Sequence, residues 1–130
     1  MSLSKVKEQD QLVEKTFQLS LSVIQLYIEL LRENEFEISD KLLRSTTNIR
    51  GNVECTLAAI DKQDYMSRIS VAFKEAVETR YWLKLIQMNH MICRTCDTCV
   101  EQLNEIIVIL NWMIQSENTF KLQLNIHNLN

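Results

Sequence analysis

The sequence has few of the residues that build turns, with one glycine and no proline in 130 residues. Sandwiches and barrels need many tight turns, which are built largely from Gly, Pro and Asn, so we do not expect an all-β fold. Nucleotide-binding loops need two or more closely spaced glycines, which excludes those sites as well. The composition predicts a helical domain, and the chain is long enough for one domain with its own core.

Long apolar runs are also missing. The longest, Ile106 to Leu110, is much too short to cross a bilayer. The first ten residues are polar and lack the apolar stretch of a signal peptide. We therefore expect a cytoplasmic protein without membrane contact, in which the four cysteines are reduced.

Histidine is scarce, which limits the catalytic chemistry that the chain can support. Only His90 and His127 occur, and no glutamate is followed three residues later by histidine, as a di-iron bundle requires. Pairs of a nucleophile and a histidine have almost no candidates. The sequence therefore predicts a non-enzymatic protein that holds no cofactor.

One cluster of possible metal ligands remains, formed by His90, Cys93, Cys96 and Cys99. Four such ligands suit zinc or an iron–sulfur cluster. A spacing of three residues also places cysteines on one helix face, where they pack as small apolar residues. We favour packing and predict no metal, with a metal or redox module kept as an alternative.

The apolar spacing predicts an all-α domain over residues 1–130, with helices at about 8–32, 39–60, 62–89 and 98–115. Residues 118–130 are rich in asparagine, and we expect them to form a flexible, partly ordered tail.

Two of these helices carry more apolar surface than one buried face requires. The first has two seams on nearly opposite sides, namely Leu19, Val23, Leu26 and Leu30, and Phe17, Leu21, Ile24, Ile28 and Leu31. The fourth has a seam widened by neighbouring apolar residues: Val100, Leu103, Ile107, Leu110 and Ile114, with Ile106, Ile109 and Met113. A two-layer monomer buries one face of a helix, so the surplus predicts a homo-oligomer.

The charge is unevenly distributed along an acidic chain. The net charge is −3 and the pI is about 5.4, which does not indicate a uniformly basic nucleic-acid binder. Residues 41–84 nevertheless carry eight basic and five acidic side chains. An ordinary solvated surface would explain this excess, and so would a local basic face. The candidate nucleic-acid contacts are Arg44, Arg50, Lys62, Arg68, Lys74 and Lys84, with Lys41 as a further candidate.

A dense motif lies within residues 42–86. It comprises Arg44, Ser45, Asn52, Glu54, Asp64, Tyr65 (where Phe is usual), Lys74, Glu75, Glu78, Thr79, Tyr81, Trp82 and Leu83. The motif resembles the protein family associated with intervening sequences of 23S ribosomal RNA genes, which includes the accessory variability determinant of diversity-generating retroelements. This resemblance implies an antiparallel up-and-down four-helix bundle that forms homo-oligomers, typically pentamers.

The resemblance also implies a function. Retroelement-linked members are basic, bind nucleic acid and associate with a reverse transcriptase. We therefore expect a nucleic-acid or ribonucleoprotein accessory factor whose partners are copies of itself, RNA or DNA, and a reverse transcriptase or other protein. The acidic pI of this chain favours the alternative, a protein–protein scaffold without nucleic-acid contact.

Several motif residues are also candidates for a structural role. Arg80 interrupts the apolar face of the third helix, where an unpaired buried charge would be too costly. We expect Arg80 to join Asn52, Glu54 and Glu75 in a buried polar network that fixes the register of the second and third helices. On this interpretation, Glu75→Gln destabilises the fold.

Overall fold

The computed structural model describes residues 3–89 and 94–129, and nearly all of them are helical. The elements are α1 (Leu3–Arg32), α2 (Phe36–Cys55), a 3₁₀ turn (Thr56–Ala58), α3 (Lys62–Met88) and α4 (Arg94–Leu129). The described ranges contain no strand. The predicted all-α four-helix bundle is confirmed.

Each helix packs against its neighbour in the sequence, and α4 closes the ring against α1. Two contacts show that α1 and α4 run antiparallel. Near the middle of α1, Lys15 pairs with Glu105, with 2.7 Å between Nζ and Oε2. Near the end of α1, Glu29 accepts a hydrogen bond from Thr95 in the first turn of α4. Residue numbers therefore rise along one helix as they fall along the other.

Local capping explains where the helices begin and end. The carboxylate of Asp61 accepts a hydrogen bond from the backbone N–H of Asp64 at 2.7 Å and caps the start of α3. Asn34 adopts a positive φ of 61° just after α1, a conformation that asparagine tolerates. The second helix begins at Phe36, three residues before the prediction, because the backbone N–H of Ser39 already bonds to the carbonyl of Glu35.

The core lies along one seam of each helix. In α1 the core seam is one of the two predicted apolar seams, and all four of its side chains are fully buried: Leu19, Val23, Leu26 and Leu30. In α4 the buried positions follow spacings of three and four residues: Cys96, Cys99, Leu103, Ile106, Leu110, Met113 and Glu117. The predicted α4 seam was partly wrong, because Val100, Ile107 and Ile114 lie half-buried on its flank.

The predicted flexible tail is instead the end of α4. No glycine or proline interrupts residues 116–129. Glu117 anchors the start of the segment, since its side chain is buried and pairs with Lys62 at 3.1 Å between Nζ and Oε2. The ammonium of Lys62 also lies 4.6 Å from the ring centroid of Phe120. At about 1.5 Å per residue, α4 is about 54 Å long and α3 about 40 Å.

Just beyond Glu117, Phe120 still contacts Lys62 of α3. Every side chain from Asn118 to Asn128 is exposed. We call residues 118–129 the C-terminal arm.

Candidate nucleic-acid interface

The structure places the predicted basic residues in several different settings. Arg50 ties α2 to α1, because its guanidinium donates to the carbonyl of Val13 at 2.8 Å and pairs with Glu54 at 2.7 Å. It also lies 5.9 Å from the ring centroid of Phe17. With only 26% of its side chain exposed, Arg50 serves the packing of the bundle.

Three other predicted contacts are paired with carboxylates. Arg44 pairs with Asp40 one turn earlier on α2, at 3.1 Å. Lys62 pairs with the buried Glu117. Arg68 lies 3.9 Å from a carboxylate oxygen of Asp64. Each pairing offsets positive charge that could otherwise attract phosphate.

Lys74 and Lys84 differ from these four. Both are exposed on α3, ten residues or about 15 Å apart along the helix axis. Within residues 3–89 and 94–129, no carboxylate lies within 4 Å of either ammonium. Tyr81 lies between them on the same outward side of the helix and is 54% exposed. These two lysines are therefore the predicted contacts that remain available to a ligand.

An aromatic pair accompanies the two lysines. The rings of Tyr81 and Trp82 meet edge to face, with centroids 4.8 Å apart. The ammonium of Lys41, at the start of α2, lies 5.4 Å from the Trp82 ring centroid. The indole N–H donates to a carboxylate oxygen of Glu78 at 3.4 Å. Lys74, Tyr81 and Lys84 are exposed on α3, while the half-buried Trp82 lies on the flank toward Lys41 of α2. We call these five residues the α3 outer face.

The chemistry of the α3 outer face suits a single-stranded nucleic acid. Ammonium groups attract phosphates, and an exposed aromatic ring offers a flat surface on which bases stack. Tyr81 and Trp82 both belong to the family motif. The exposure of Tyr81 was not predicted from the sequence, and Trp82 is half-buried against the core. The sequence signal for this surface was an aromatic pair flanked by lysines, since Lys74 lies seven residues before Tyr81 and Lys84 lies two residues after Trp82. Glu78 is the acidic side chain that opposes phosphate binding here.

The predicted polar network is not present in the structure. Glu54 is exposed and pairs with Arg50. Asn52 donates to the carbonyl of Asn48 on its own helix, at 2.8 Å. Arg80 is half-buried and makes no ion pair within the described residues. The core seam of α2 passes through Ile49 and Val53, which puts positions 52 and 54 on its flanks.

Glu75, the fourth predicted member, lies where its charge is unfavourable. Burial raises the pKa of its carboxyl, and the nearby charge of Glu78 raises it further. A hydrogen bond from Asn48 acts in the opposite direction and does not cancel these effects. Glu75 is therefore not stabilised by a cation, contrary to the sequence-based expectation.

The buried polar contact between α2 and α3 involves two other residues of the motif. The hydroxyl of Thr79 donates to Ser45 Oγ at 2.8 Å. Both side chains are buried, Thr79 completely. The two hydroxyls therefore fix the facing positions of α2 and α3.

A second buried polar group lies near the start of α3. The Tyr65 hydroxyl is buried and has no hydrogen-bond partner among the residues that the structure describes. Burial raises the pKa of Tyr65, and the charge of Glu8 adds to that rise. The family pattern usually has phenylalanine at this position, which carries no such hydroxyl.

The cysteine cluster is described only in part. Cys96 and Cys99 are fully buried in the core seam of α4, as expected for packing residues. His90 and Cys93 lie outside the described residues. Among the described residues, no three His, Cys, Asp or Glu side chains are grouped closely enough to hold a metal ion.

The second apolar seam of α1 faces outward. Phe17, Leu21, Ile24 and Ile28 are each 45–48% exposed, on the side of α1 opposite its core seam. We call these four residues the α1 stripe. A continuous exposed apolar surface of this kind marks an interaction site.

Comparison with known proteins identifies the family. The sequence profile of the 23S rRNA-intervening sequence protein family matches residues 8–112. The chain belongs to this family. Residues 113–130, which include the C-terminal arm, lie outside the match.

A solved structure supports the family assignment. It is a protein of unknown function from the S23 ribosomal protein family of Bacteroides thetaiotaomicron VPI-5482. The two chains are 28% identical and superpose with a TM-score of 0.77, over 83% of this chain and 98% of that one. No curated protein matches this member of the family. In the described parts of the chain, no helix combines the length and apolarity needed to span a membrane.

Proposed function

We propose that the protein is a non-enzymatic, homo-oligomeric bundle that binds single-stranded RNA or DNA through the α3 outer face. It would serve as an accessory factor of a ribonucleoprotein, with a reverse transcriptase or another protein as a further partner. The observation that carries the proposal is the pair of exposed lysines, Lys74 and Lys84, on either side of the exposed ring of Tyr81. Neither lysine makes an ion pair within the described residues. The RNA in the family's name supports the proposal.

The expected affinity of a single copy is low. Three ammonium groups on the α3 outer face neutralise about three phosphates, so log K falls with log salt with a slope of about −2 for single strands. The net charge of −3 repels nucleic acid at long range. An oligomer presents one such face per copy, and several weak contacts on one strand then combine into useful avidity. Binding therefore depends on assembly, for which we propose a pentamer as the family resemblance implies.

Fluorescence anisotropy tests the proposal. The full chain is titrated into labelled single-stranded RNA and into RNA and DNA duplexes, at low and then physiological salt. Binding that prefers single strands and weakens with salt supports the α3 outer face. Absence of binding to every probe at low salt refutes the protein as an autonomous nucleic-acid binder.

Matched variants locate the site. Lys74→Gln with Lys84→Gln removes phosphate contacts, and we expect about a tenfold loss with a shallower salt slope. Tyr81→Ala removes the stacking surface and should lower affinity by about tenfold, with little change in slope. Arg44→Gln is the control, because Asp40 already offsets its charge. Glu78→Gln should strengthen binding, because it removes a negative charge from this face. Equal losses of affinity in all the variants would place the site elsewhere.

A protein–protein scaffold is the second candidate function. It is favoured by the exposed α1 stripe together with the acidic net charge. Under this alternative the α1 stripe binds protein and the α3 outer face binds nothing. Native mass spectrometry of the full chain, alone and after the anisotropy titration, distinguishes the two, since nucleic acid adds mass to the assembly only under the first proposal.

A further inference from the structure

The C-terminal arm alternates apolar and polar residues along the chain. From position 120 to 127 the order is Phe, Lys, Leu, Gln, Leu, Asn, Ile and His. Every second residue is apolar, which is the period of a β-strand with one buried face and not the period of an amphipathic helix. The arm also lies outside the family match, which ends at residue 112. The pattern therefore belongs to this segment and not to the bundle that the family shares.

The helical conformation of the arm does not make use of this alternation. Successive residues turn by about 100° in a helix, so Phe120 and Leu124 lie on one side of the arm. Leu122 and Ile126 lie on the opposite side, and all four side chains are 46–59% exposed. A groove that binds a helix takes apolar side chains from one face, at steps of three and four residues. Such a groove would hold two of the four side chains and leave the other two in water.

An extended conformation would bring the four apolar side chains together. Alternate residues of a strand point to the same face, so the apolar residues of the arm would form one continuous row. The polar residues between them would form the other face. Residues 120–127 would span about 26 Å as a strand, compared with about 12 Å as a helix. The extended arm is therefore long enough to pair with a complete strand of a neighbouring sheet.

Little opposes such a change of conformation. An isolated helix of about twelve residues is marginal in water. Asparagine, a weak helix former, occupies positions 118, 125 and 128 of the arm. Every side chain from Asn118 to Asn128 is exposed, and the contact of Phe120 with Lys62 lies at the base of the arm. Unwinding the arm therefore leaves the core of the bundle intact.

We propose that the C-terminal arm binds another protein as a β-strand, by pairing with an exposed edge of that protein's sheet. A sheet edge presents unpaired backbone N–H and C=O groups, and these would replace the helical hydrogen bonds of the arm. The apolar row of the arm would pack on apolar residues that border the edge. The described residues of this chain contain no strand, so the sheet belongs to a different protein. The proposal does not depend on nucleic-acid binding by the α3 outer face, and each can fail without the other.

Photo-cross-linking of the full chain, in the cells that naturally produce it, tests the proposal. A photoreactive phenylalanine analogue is placed at each position from 120 to 127 in turn. The control position is Val108, which is 68% exposed on α4 and lies outside the arm. Adducts with another protein should be strong at positions 120, 122, 124 and 126 and weak at the positions between them. Mass spectrometry should place the modified peptide of the partner on an edge strand.

A matched variant separates binding as a strand from binding as a helix. The exchange of two neighbours, Leu124→Asn with Asn125→Leu, keeps the composition of the arm and breaks its alternation. It also places apolar residues at positions 122, 125 and 126, which lie on one helix face. With the photoreactive group at position 120, binding as a strand predicts a loss of adducts of about tenfold or more, because one leucine leaves the packed face. Circular dichroism of the purified variant should show unchanged helicity.

Other outcomes overturn the proposal in distinguishable ways. Adduct maxima spaced by three and four residues, or an exchange variant that cross-links as well as the wild type, would show that the arm binds as a helix. Adducts confined to second copies of this chain would show that arms pair with each other. Yields at positions 120–127 that do not exceed the yield at Val108 would show that the arm has no protein partner.

Discussion

Replacing Thr79 with valine tests whether the buried hydroxyl pair between α2 and α3 stabilises the bundle. The Thr79 hydroxyl lies 2.8 Å from Ser45 Oγ and 2.8 Å from the carbonyl oxygen of Glu75. Ser45 in turn donates to the carbonyl of Leu42 at 3.2 Å. Valine keeps the branched shape of threonine and replaces its hydroxyl with a methyl group, so the substitution removes the hydrogen bond and largely preserves the packing.

The geometry sets the expected size of the effect. A buried hydrogen bond contributes about 0.5–1.5 kcal/mol, and the cost rises when a buried donor is left without an acceptor. Neither single variant leaves such a donor, because Ser45 still bonds to Leu42 and Thr79 still bonds to Glu75. We therefore expect Thr79→Val and Ser45→Ala to cost about 1 kcal/mol each. The double variant should cost about 0.5 kcal/mol less than their sum.

Urea unfolding followed by circular dichroism measures these costs. All variants are compared at one protein concentration, since assembly makes apparent stability depend on concentration. Thr47→Val is the control, because Thr47 is exposed and bonds only within its own helix; its effect should stay within about 0.5 kcal/mol. Additive single variants would show that the two hydroxyls are not coupled. A loss below about 0.3 kcal/mol in Thr79→Val would refute their stabilising role.

Three further predictions concern single side chains. Tyr65→Phe removes a buried hydroxyl for which the described part of the chain offers no partner. It should therefore stabilise the fold by about 1 kcal/mol in urea unfolding, and any loss of stability contradicts this. The carboxyl of Glu75 has a raised pKa in the folded chain, so its ionised form opposes folding. The free energy of unfolding of the wild type should therefore increase as the pH falls from 7 through that pKa. Glu75→Gln should lack this increase and should not destabilise the protein at pH 7. If the stability of the variant depended on pH as that of the wild type does, the prediction would be wrong. Leu26→Ala in the core should cost about 2–5 kcal/mol. Leu21→Ala on the α1 stripe should cost less than about 1 kcal/mol when the protein is too dilute to assemble. If Leu21→Ala and Leu26→Ala lowered the free energy of unfolding equally, α1 would not have distinct inner and outer faces.

The sequence was sufficient to predict the all-α fold and most of the helix positions. A near-absence of glycine and proline leaves few places for turns, and Asp61 marks the start of α3 through an ordinary capping preference. Spacing alone also predicted the two apolar seams of α1. The spacing could not show which of the two α1 seams faces inward, because both are apolar and only packing against α2 and α4 decides between them.

The C-terminal arm was missed for a different reason. Asparagine is a weak helix former and is common in turns, so its abundance after residue 117 was interpreted as a tail. The structure shows that the ion pair of Lys62 with Glu117 anchors this segment to α3. A contact between residues 55 positions apart is not visible in local propensity.

The candidate interface could be predicted only in part, because charge pairing depends on neighbours. Arg44 and Lys74 look alike in the sequence, yet Asp40 pairs with one of them and no carboxylate in the described residues pairs with the other. The polar network failed because Asn52 and Glu54 lie on the flanks of α2. Each of these positions lies about 100° around the helix from the buried Val53, which places both outside the seam.

The most direct test of the proposed function is ultraviolet cross-linking of the full chain to single-stranded RNA that contains photoreactive uridine, followed by mass spectrometry of the modified peptides. We expect the modified residues to fall between Lys74 and Lys84, with Tyr81 as the principal site, and the cross-links to decrease as salt is added. Cross-links confined to other helices, or none above those of an unrelated acidic protein, would contradict the assignment of the α3 outer face.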